Sequence, residues 1–141
     1  MENHRQNRCI CNEMKQLMEE QDKLSFEGFR FVCESIGFDT IPFILSNGEG
    51  PFEAWGRTMN GRFFITPVFR IESLDERHCC AKLSLLEPVD MDGCPVELCD
   101  EVFSLLKTEI CIVVDLKCFC SIQPLSPKLV NRPLPIIEPK C

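Results

Sequence analysis

Basic residues are scarce in this chain of 141 residues. It has 15 lysines and arginines against 22 aspartates and glutamates, which gives a net charge of −7. Proteins that bind nucleic acids usually present a basic face to the phosphates, and docking to anionic membranes also depends on basic residues. The charge balance therefore predicts neither a nucleic-acid partner nor electrostatic docking to a membrane.

Long apolar segments are also missing. No apolar run approaches the roughly 20 residues that a membrane-spanning helix needs. The N-terminal stretch MENHRQNRCICNEMKQLMEEQ lacks the apolar centre of a secretory signal peptide. These absences predict a protein that is made in the cytoplasm, is not exported through the secretory pathway and has no membrane partner.

Motifs that support catalysis are equally hard to find. The sequence contains no glycine-rich phosphate loop and no constellation of paired carboxylates. His78 precedes Cys79 directly, but neighbouring residues on a strand point to opposite faces, so we do not expect a Cys–His catalytic pair. The segment Asp-Met-Asp-Gly at 90–93 lacks the remaining ligand spacing of a calcium loop. We predict a protein that is not an enzyme and uses no cofactor.

Cysteine, in contrast, is abundant, with 11 residues in 141. This density is typical of disulfide scaffolds from oxidising compartments, yet the chain shows no signal peptide. The combination leaves metal binding, intracellular redox chemistry, or oxidation after the cell stops maintaining its reducing pool. The odd number leaves one thiol over for an intermolecular bond or for a free reactive group.

The spacing of the cysteines disfavours two of these explanations. Structural zinc sites usually pair cysteines with two to four intervening residues, whereas this chain has Cys-x-Cys twice and Cys-x₄-Cys once. Redox enzymes of the thioredoxin type need Cys-x-x-Cys, which is absent. We predict no metal ligands and keep a zinc-stabilised module as the weaker alternative.

Hydrophobic periodicity predicts one helix followed by strands. Residues 8–24 carry apolar side chains at a spacing of three and four, which is typical of an amphipathic helix. From Thr40 the period is two, and Asn-Gly-Glu-Gly and Asn60-Gly61 mark turns between short strands. A strand containing Phe63 and Phe69 on one face includes Pro67, which predicts an edge position or a bulge. We expect a mainly β fold, an antiparallel β-sandwich or barrel-like sheet preceded by one N-terminal amphipathic helix.

Composition divides the chain into three parts. Residues 1–39 hold the helix and a connecting segment, residues 40–123 form the β domain, and residues 124–141 are a proline-rich tail. The tail is expected to be extended and largely unpaired. Residues 96–107 fit either a helix or a strand, and we favour a hairpin strand because only Lys-Thr-Glu separates them from the next strand.

The stretch CIVVDLKCFCSIQPL, residues 111–125, alternates as a strand. Cys118 and Cys120 fall on its apolar face, and roughly 6.6–6.8 Å between such Cα atoms, with parallel Cβ vectors, disfavours a bond between them. On the opposite face lie Cys111, Val113 and Phe119. The cysteines expected to face inward, as packed or inter-strand thiols, are Cys79, Cys118 and Cys120. Those expected to face outward or to lie on exposed segments are Cys9, Cys11, Cys80, Cys94, Cys99, Cys111 and Cys141.

This stretch resembles the spore coat protein Y/Z family of endospore-forming bacteria, which includes members similar to exosporium protein Y. The family carries a near-identical Cys-Ile-x-Val-Asp-Leu-x-Cys-Phe-Cys-x-Ile run. The segments IPFILSNGEGPFEAWG, PVFRIESLDERHCCAKLSLL and SPKLVNR extend the resemblance over residues 40–132. A further family cysteine is replaced by Pro124 here. The cysteines that match family positions are Cys80, Cys111, Cys118 and Cys120.

The resemblance implies a structural protein of the spore surface, in the coat, crust or exosporium. Such proteins are made in the mother cell, assemble with themselves and with other coat proteins, and are crosslinked by disulfides once lysis exposes them to oxidant. The exposed cysteines named above are then candidate intermolecular crosslinks, and Val113 and Phe119 are candidate subunit contacts. An adaptor that links another surface component to a layer built by paralogues is the alternative.

Overall fold

The structure, a computed structural model, describes residues 9–26 and 38–135. Within these residues one helix precedes eight strands, which confirms the predicted fold class of a mainly β protein with an N-terminal helix. The elements are α1 (Cys9–Phe26), β1 (Phe43–Asn47), β2 (Gly50–Pro51), β3 (Ala54–Arg57), β4 (Phe63–Thr66), β5 (Val68–Asp75), β6 (Cys80–Val89), β7 (Ser104–Asp115) and β8 (Ser121–Pro124).

Six strands form one strongly curled antiparallel sheet, a half-barrel. The strand order is β2-β1-β5-β6-β7, and β8 also pairs with β1. Strands β3 and β4 form a separate two-stranded sheet. The register shifts between Ile71 and Ser73 of β5 and between Ser84 and Leu86 of β6. Irregularities of this kind bend a strand and increase its twist, which contributes to the curl.

Helix α1 packs its apolar face against the sheet. Ile10, Met14 and Leu17 are buried in one cluster with core residues of β1, β5 and β6. The buried amide of Gln21 donates to the carbonyl oxygen of Ile71 at 3.1 Å and accepts from the backbone N–H of Ile41 at 3.0 Å. Because both amide groups are used, the polar side chain is satisfied in the core. No helix in the described ranges has the length and hydropathy needed to span a membrane.

Pro67 divides the predicted strand of residues 62–73 into two strands of different sheets. Proline has no N–H for a ladder, and the chain bends between β4 and β5 at this point. The Thr66 hydroxyl accepts from the Val68 N–H at 3.1 Å and donates to the Leu86 carbonyl at 2.6 Å. The bend shifts the alternation, so Phe63 is exposed while Phe69 is buried, and the prediction that they share a face was wrong.

The β3–β4 hairpin lies over the half-barrel. Its turn contains Gly61 at a φ of 83°, as the Asn60-Gly61 pair predicts. At Gly56 of this hairpin, a Cβ atom would lie 2.8 Å from the Cδ1 atom of Ile110. A residue without a side chain therefore allows the hairpin to pack closely onto β7.

Strand β7 is continuous, so the predicted hairpin at Lys-Thr-Glu was wrong. It pairs with β6 from Ser104 to Asp115. Ser84 pairs with Cys111 and Leu86 with Lys107, so the predicted turn is a bulge in which Leu85 faces three residues of β7. The hydroxyl of Thr108 donates to the Leu85 carbonyl at 2.7 Å within this bulge. The strand prediction is confirmed from Ser104 onward, while residues 96–103 form loops and turns.

The first part of the proline-rich tail is paired and packed, which contradicts the expectation of an unpaired segment. Strand β8 pairs with β1, and a single 3-10 turn follows at Pro127–Leu129. Leu125, Leu129 and Val130 pack on a second buried cluster that contains Ile44, Val68, Leu86 and Leu105. Apolar side chains between the prolines thus anchor this part of the tail to the sheet.

Arg70 joins β5 to the segment before β1. Its guanidinium donates to the hydroxyl of Thr40 at 2.8 Å and the carbonyl of Asp39 at 3.1 Å, and it pairs with Glu72 at 2.8 Å. Partial burial raises the pKa of Glu72, but hydrogen bonds from Ser84 and Arg70 and the charge of Arg70 outweigh it and hold the pKa below its ordinary value. The pKa of Asp39 also lies below its ordinary value. Partial burial raises this pKa, but hydrogen bonds from Lys107 and Thr40 outweigh that effect.

Candidate crosslinking surface

The described cysteines divide by exposure. Five carry exposed free thiols, while Cys80 is half-buried. Cys11 and Cys79 are buried. Cys94 takes part in a disulfide bond. Cys141 lies outside the described residues. The exposed free thiols are those of Cys9, Cys99, Cys111, Cys118 and Cys120.

Cys111 lies on the outward face of β7, as the alternation predicts. It opposes Ser84 across the β6–β7 ladder, and its Sγ lies 3.8 Å from the carbonyl oxygen of Glu109. Val113, two residues on, is 73% exposed on the same face. β7 ends the strand order of the sheet, so a thiol and an apolar side chain stand together on an outer strand, where a neighbouring molecule can approach.

Cys118 and Cys120 are exposed, so the prediction that they face the core was wrong. The strand ends at Asp115, whose carboxylate accepts from the backbone N–H of Lys117 at 2.9 Å and caps a 3-10 turn over Leu116–Cys118. This turn breaks the period of two on which the prediction relied. An aspartate after a run of apolar alternation is a capping signal that could have indicated the break.

Cys120 lies where the chain rejoins the sheet just before β8. Its N–H donates to the carbonyl oxygen of Ser46 at 2.9 Å, and its Sγ lies 3.5 Å from the same oxygen. The backbone is thus held at the end of β1 while the side chain remains exposed. Cys118 and Cys120 are placed as surface thiols that follow β7.

Phe119, predicted as an outward subunit contact beside Val113, is half-buried and points to the core. Its ring meets that of Phe52 edge-on, with centroids 5.3 Å apart, and Phe52 in turn stacks on Phe69 at 5.7 Å. The 3-10 turn that exposes Cys118 also rotates Phe119 inward. Val113 is therefore the candidate contact residue that keeps its exposure.

Cys79 is buried, as predicted, but it lies in the turn before β6 rather than in the strand. Its backbone has a φ of 59°, and its carbonyl accepts from the Leu116 N–H at 2.9 Å. Cys80 begins β6 opposite Asp115. Cys79 is buried and Cys80 is partly exposed, as predicted, but the turn conformation of Cys79, and not strand alternation, separates the two side chains.

His78 stabilises this turn through its hydrogen bonds with Asp75. Its ring Nδ1 lies 2.8 Å from the carboxylate of Asp75, which also accepts from the backbone N–H groups of Arg77 and His78. The hydrogen bond from the His78 ring is the main reason that the pKa of Asp75 lies below its ordinary value. His78 is therefore a turn residue.

Two further candidate crosslinking residues are not available as exposed thiols. Cys11 is only 2% exposed, because it shares the buried face of α1 with Met14. The expectation that the helix start leaves it exposed was therefore wrong. Cys94 is already disulfide-bonded, so in this form it offers no free thiol to a neighbour.

Potential metal ligands meet at one place in residues 9–26 and 38–135. Ligand atoms of Glu97, Cys99 and Asp100 lie within 4.8 Å of one another, and all three residues are exposed. Structural zinc sites use four ligands, mostly cysteine and histidine, so this group is a poor match. No three of the described cysteines come together in this way, and the zinc-stabilised alternative gains no support.

An exposed apolar surface was missed by the sequence analysis. Trp55, Phe63 and Ile65 cover the outer face of the β3–β4 hairpin, and Met59 stands at its tip. Alternation alone could not distinguish this face from the buried one, since both contain aromatic or aliphatic residues. Trp55 and Phe63, with ring centroids 5.9 Å apart, stack across the hairpin in place of a core contact.

Comparison with known proteins places these features in a family. The family model for spore coat protein Z matches residues 1–127. Spore coat protein Z of Bacillus subtilis (strain 168) is 42% identical over 110 residues, covering 72% of each chain. No solved structure gives a significant match. The resemblance seen in the sequence is thereby confirmed, and the chain belongs to the spore coat protein Z family.

Proposed function

We propose that the chain is a non-enzymatic structural protein of the bacterial spore surface, in the coat, crust or exosporium. It assembles with copies of itself and with other coat proteins, and intermolecular disulfides then fix the assembly. Its membership of the spore coat protein Z family supports the location. The observation that carries the crosslinking role is the exposure of five free thiols on separate parts of the fold.

The placement of these thiols favours a network over an internal framework. Cys9 lies on α1, Cys99 in the loop before β7 and Cys111 on β7 itself, while Cys118 and Cys120 follow that strand. A molecule with one reactive thiol forms at most a dimer, whereas several thiols facing different directions can join several neighbours. The buried thiols of Cys11 and Cys79 serve as packed core groups.

Assembly precedes crosslinking in this proposal. A disulfide requires about 4.4–6.8 Å between Cα atoms and a suitable orientation of both side chains. Random collisions seldom hold two rigid surfaces in that geometry, whereas a non-covalent interface holds thiols together at a high effective concentration. Exposed apolar side chains such as Val113 supply such contacts.

The adaptor alternative depends on the proline-rich tail as a segment that captures a partner. Leu125, Leu129 and Val130 instead pack against the second buried cluster. The described part of the tail therefore has a structural role in the sheet. No described contact favours the adaptor over the self-assembling protein.

Electrophoresis tests the crosslinking role. Purified reduced protein is oxidised in air and then run with and without reductant. We expect a ladder of multimers that collapses to the monomer when reductant is added. A parallel sample alkylated before oxidation should stay monomeric on the gel. A monomer under both oxidising and reducing conditions would contradict the proposal.

A further inference from the structure

The β3–β4 hairpin presents an apolar surface with one free positive charge. Trp55 is 69% exposed, Phe63 and Ile65 are each 50% exposed, and Met59 at the tip is 98% exposed. Arg57 lies on the same outer face, opposite Phe63 in the ladder, and forms no ion pair with a described residue. Tryptophan, methionine and arginine are enriched at protein interfaces, where tryptophan and arginine often dominate the binding energy.

The fold does not need this surface to cover its core. The opposite face of the hairpin already packs on the half-barrel through Ala54, Phe64 and Thr66. Its outer side chains contact one another, with the Trp55 and Phe63 ring centroids 5.9 Å apart, but they do not cover the core. Contiguous exposed apolar residues on a folded chain usually mark an interaction site.

An acidic groove lies elsewhere on the same chain, between the loop after β6 and the segment before β7. It has a volume of about 340 Å³ and combines three carboxylates with three apolar side chains. The carboxylate of Asp90 accepts from the N–H groups of Asp92 and Cys94, each at 2.9 Å, and fixes the loop. The groove is lined by Asp90, Met91, Asp92, Glu101, Val102 and Phe103.

Two carboxylates of this groove are unpaired among the residues that the structure describes, while the guanidinium of Arg132 lies 3.9 Å from the centroid of the Phe103 ring at its edge. The side chains of Asp92 and Glu101 form no ion pair with any residue in the described ranges. Met91 is 55% exposed and offers an apolar contact beside them. The groove thus complements the hairpin in charge and in polarity. Its carboxylates can pair with a cation, and its apolar side chains can contact large side chains.

We propose that the hairpin of one molecule docks in the acidic groove of a second copy, with Arg57 facing Asp92 and Glu101 and with Met59 against Met91. This proposal rests on the self-assembly proposed above and specifies the contact between two copies. Hairpin-to-hairpin pairing would bring Arg57 close to its own copy, and groove-to-groove pairing would oppose carboxylates, so both are disfavoured.

A contact between two different surfaces has a consequence for assembly. Each copy offers one hairpin and one groove, so every added molecule presents a new free hairpin and a new free groove. Such head-to-tail contacts extend into open assemblies or rings rather than stopping at a dimer. This is the type of contact from which a spore surface layer can grow.

Charge reversal on either surface tests the docking. The variants are Arg57→Glu and the double variant Asp92→Lys/Glu101→Lys, all alkylated on their free thiols so that disulfides play no part. Each variant alone should lose the assembly seen with alkylated wild type, because its hairpin and groove carry like charges. Mixed in equal amounts, the two variants should assemble, because each hairpin then finds a groove of opposite charge.

The tryptophan provides the readout, since Trp55 is the only one in the chain. Its emission should shift to shorter wavelength in wild type and in the mixture, but not in either variant alone, in parallel with light scattering. Arg77→Glu, a matched reversal at an exposed turn position, should assemble like wild type. Circular dichroism establishes that every variant is folded.

The outcomes separate this contact from self-assembly in general. Alkylated wild type that stays monomeric would overturn both proposals. Assembly of both charge-reversed variants at the wild-type level would overturn the docking contact alone. A mixture that fails to assemble, or that stops at a dimer, would also overturn it, because complementary head-to-tail contacts must restore growth.

Discussion

Replacing Phe69 with alanine is expected to lower the free energy of unfolding by about 3–5 kcal/mol. Its side chain is fully buried in β5, and its ring contacts those of Phe43 and Phe52 at centroid distances of 6.4 and 5.7 Å. Phe52 extends the contact to Phe119, so the substitution opens a cavity at the centre of an aromatic cluster. Much of the stability of a chain this size would be lost.

Phe63→Ala is the matched control, because it removes the same atoms from the outer face of the hairpin. Half of the Phe63 side chain is already exposed, so we expect a loss below about 1 kcal/mol. Urea denaturation of the reduced variants, at a protein concentration too low for assembly and followed by circular dichroism, measures both values. Equal losses in the two variants would show that the aromatic cluster is not the core of the fold.

Replacing the five exposed cysteines with serine is expected to remove most of the disulfide-linked species larger than a dimer, although Cys141 and half-buried Cys80 remain. Extension beyond a dimer needs at least two reactive thiols in each molecule, and these five are the described free thiols that solvent reaches readily. Electrophoresis without reductant after air oxidation measures the loss. The residues replaced are Cys9, Cys99, Cys111, Cys118 and Cys120.

The matched control replaces the two buried thiols, Cys11 and Cys79, with alanine. These side chains are 2% and 1% exposed, so the ladder of multimers should persist although the fold is somewhat destabilised. The assignment of the crosslinking thiols would be reversed if the ladder of multimers survived in the variant with five serines but disappeared in the variant with two alanines.

Local sequence pattern was sufficient to predict the type of most elements. The helix is recognised because Met14, Leu17 and Gln21 return to the same face every three or four residues. The outward Cys111 and Val113 and the inward Val114 of β7 follow from strict alternation. Such predictions succeed where one face of an element is buried along its whole length, because the spacing of apolar residues then equals the spacing of buried positions.

Predictions failed where a single residue changes the phase of the pattern. Pro67 sends the chain from one sheet to another, and Asp115 caps a turn that reverses the orientations of Cys118 and Phe119. The bulge at Thr108 depends on a side-chain hydrogen bond to Leu85 across the sheet. Pro67 and Asp115 act locally, whereas the bulge needs a contact across the sheet. A single such residue decides which thiols are exposed, so the crosslinking surface was harder to predict than the fold.

The proposed function requires that non-covalent contacts build the assembly and that disulfides only fix it. Electron microscopy of the protein, kept reduced and then oxidised, tests this most directly. We predict ordered assemblies with the same repeat in both samples, of which only the oxidised ones survive in urea without reductant. Reduced protein that remains dispersed and assembles only on oxidation would contradict the claim, because disulfides would then create the contacts.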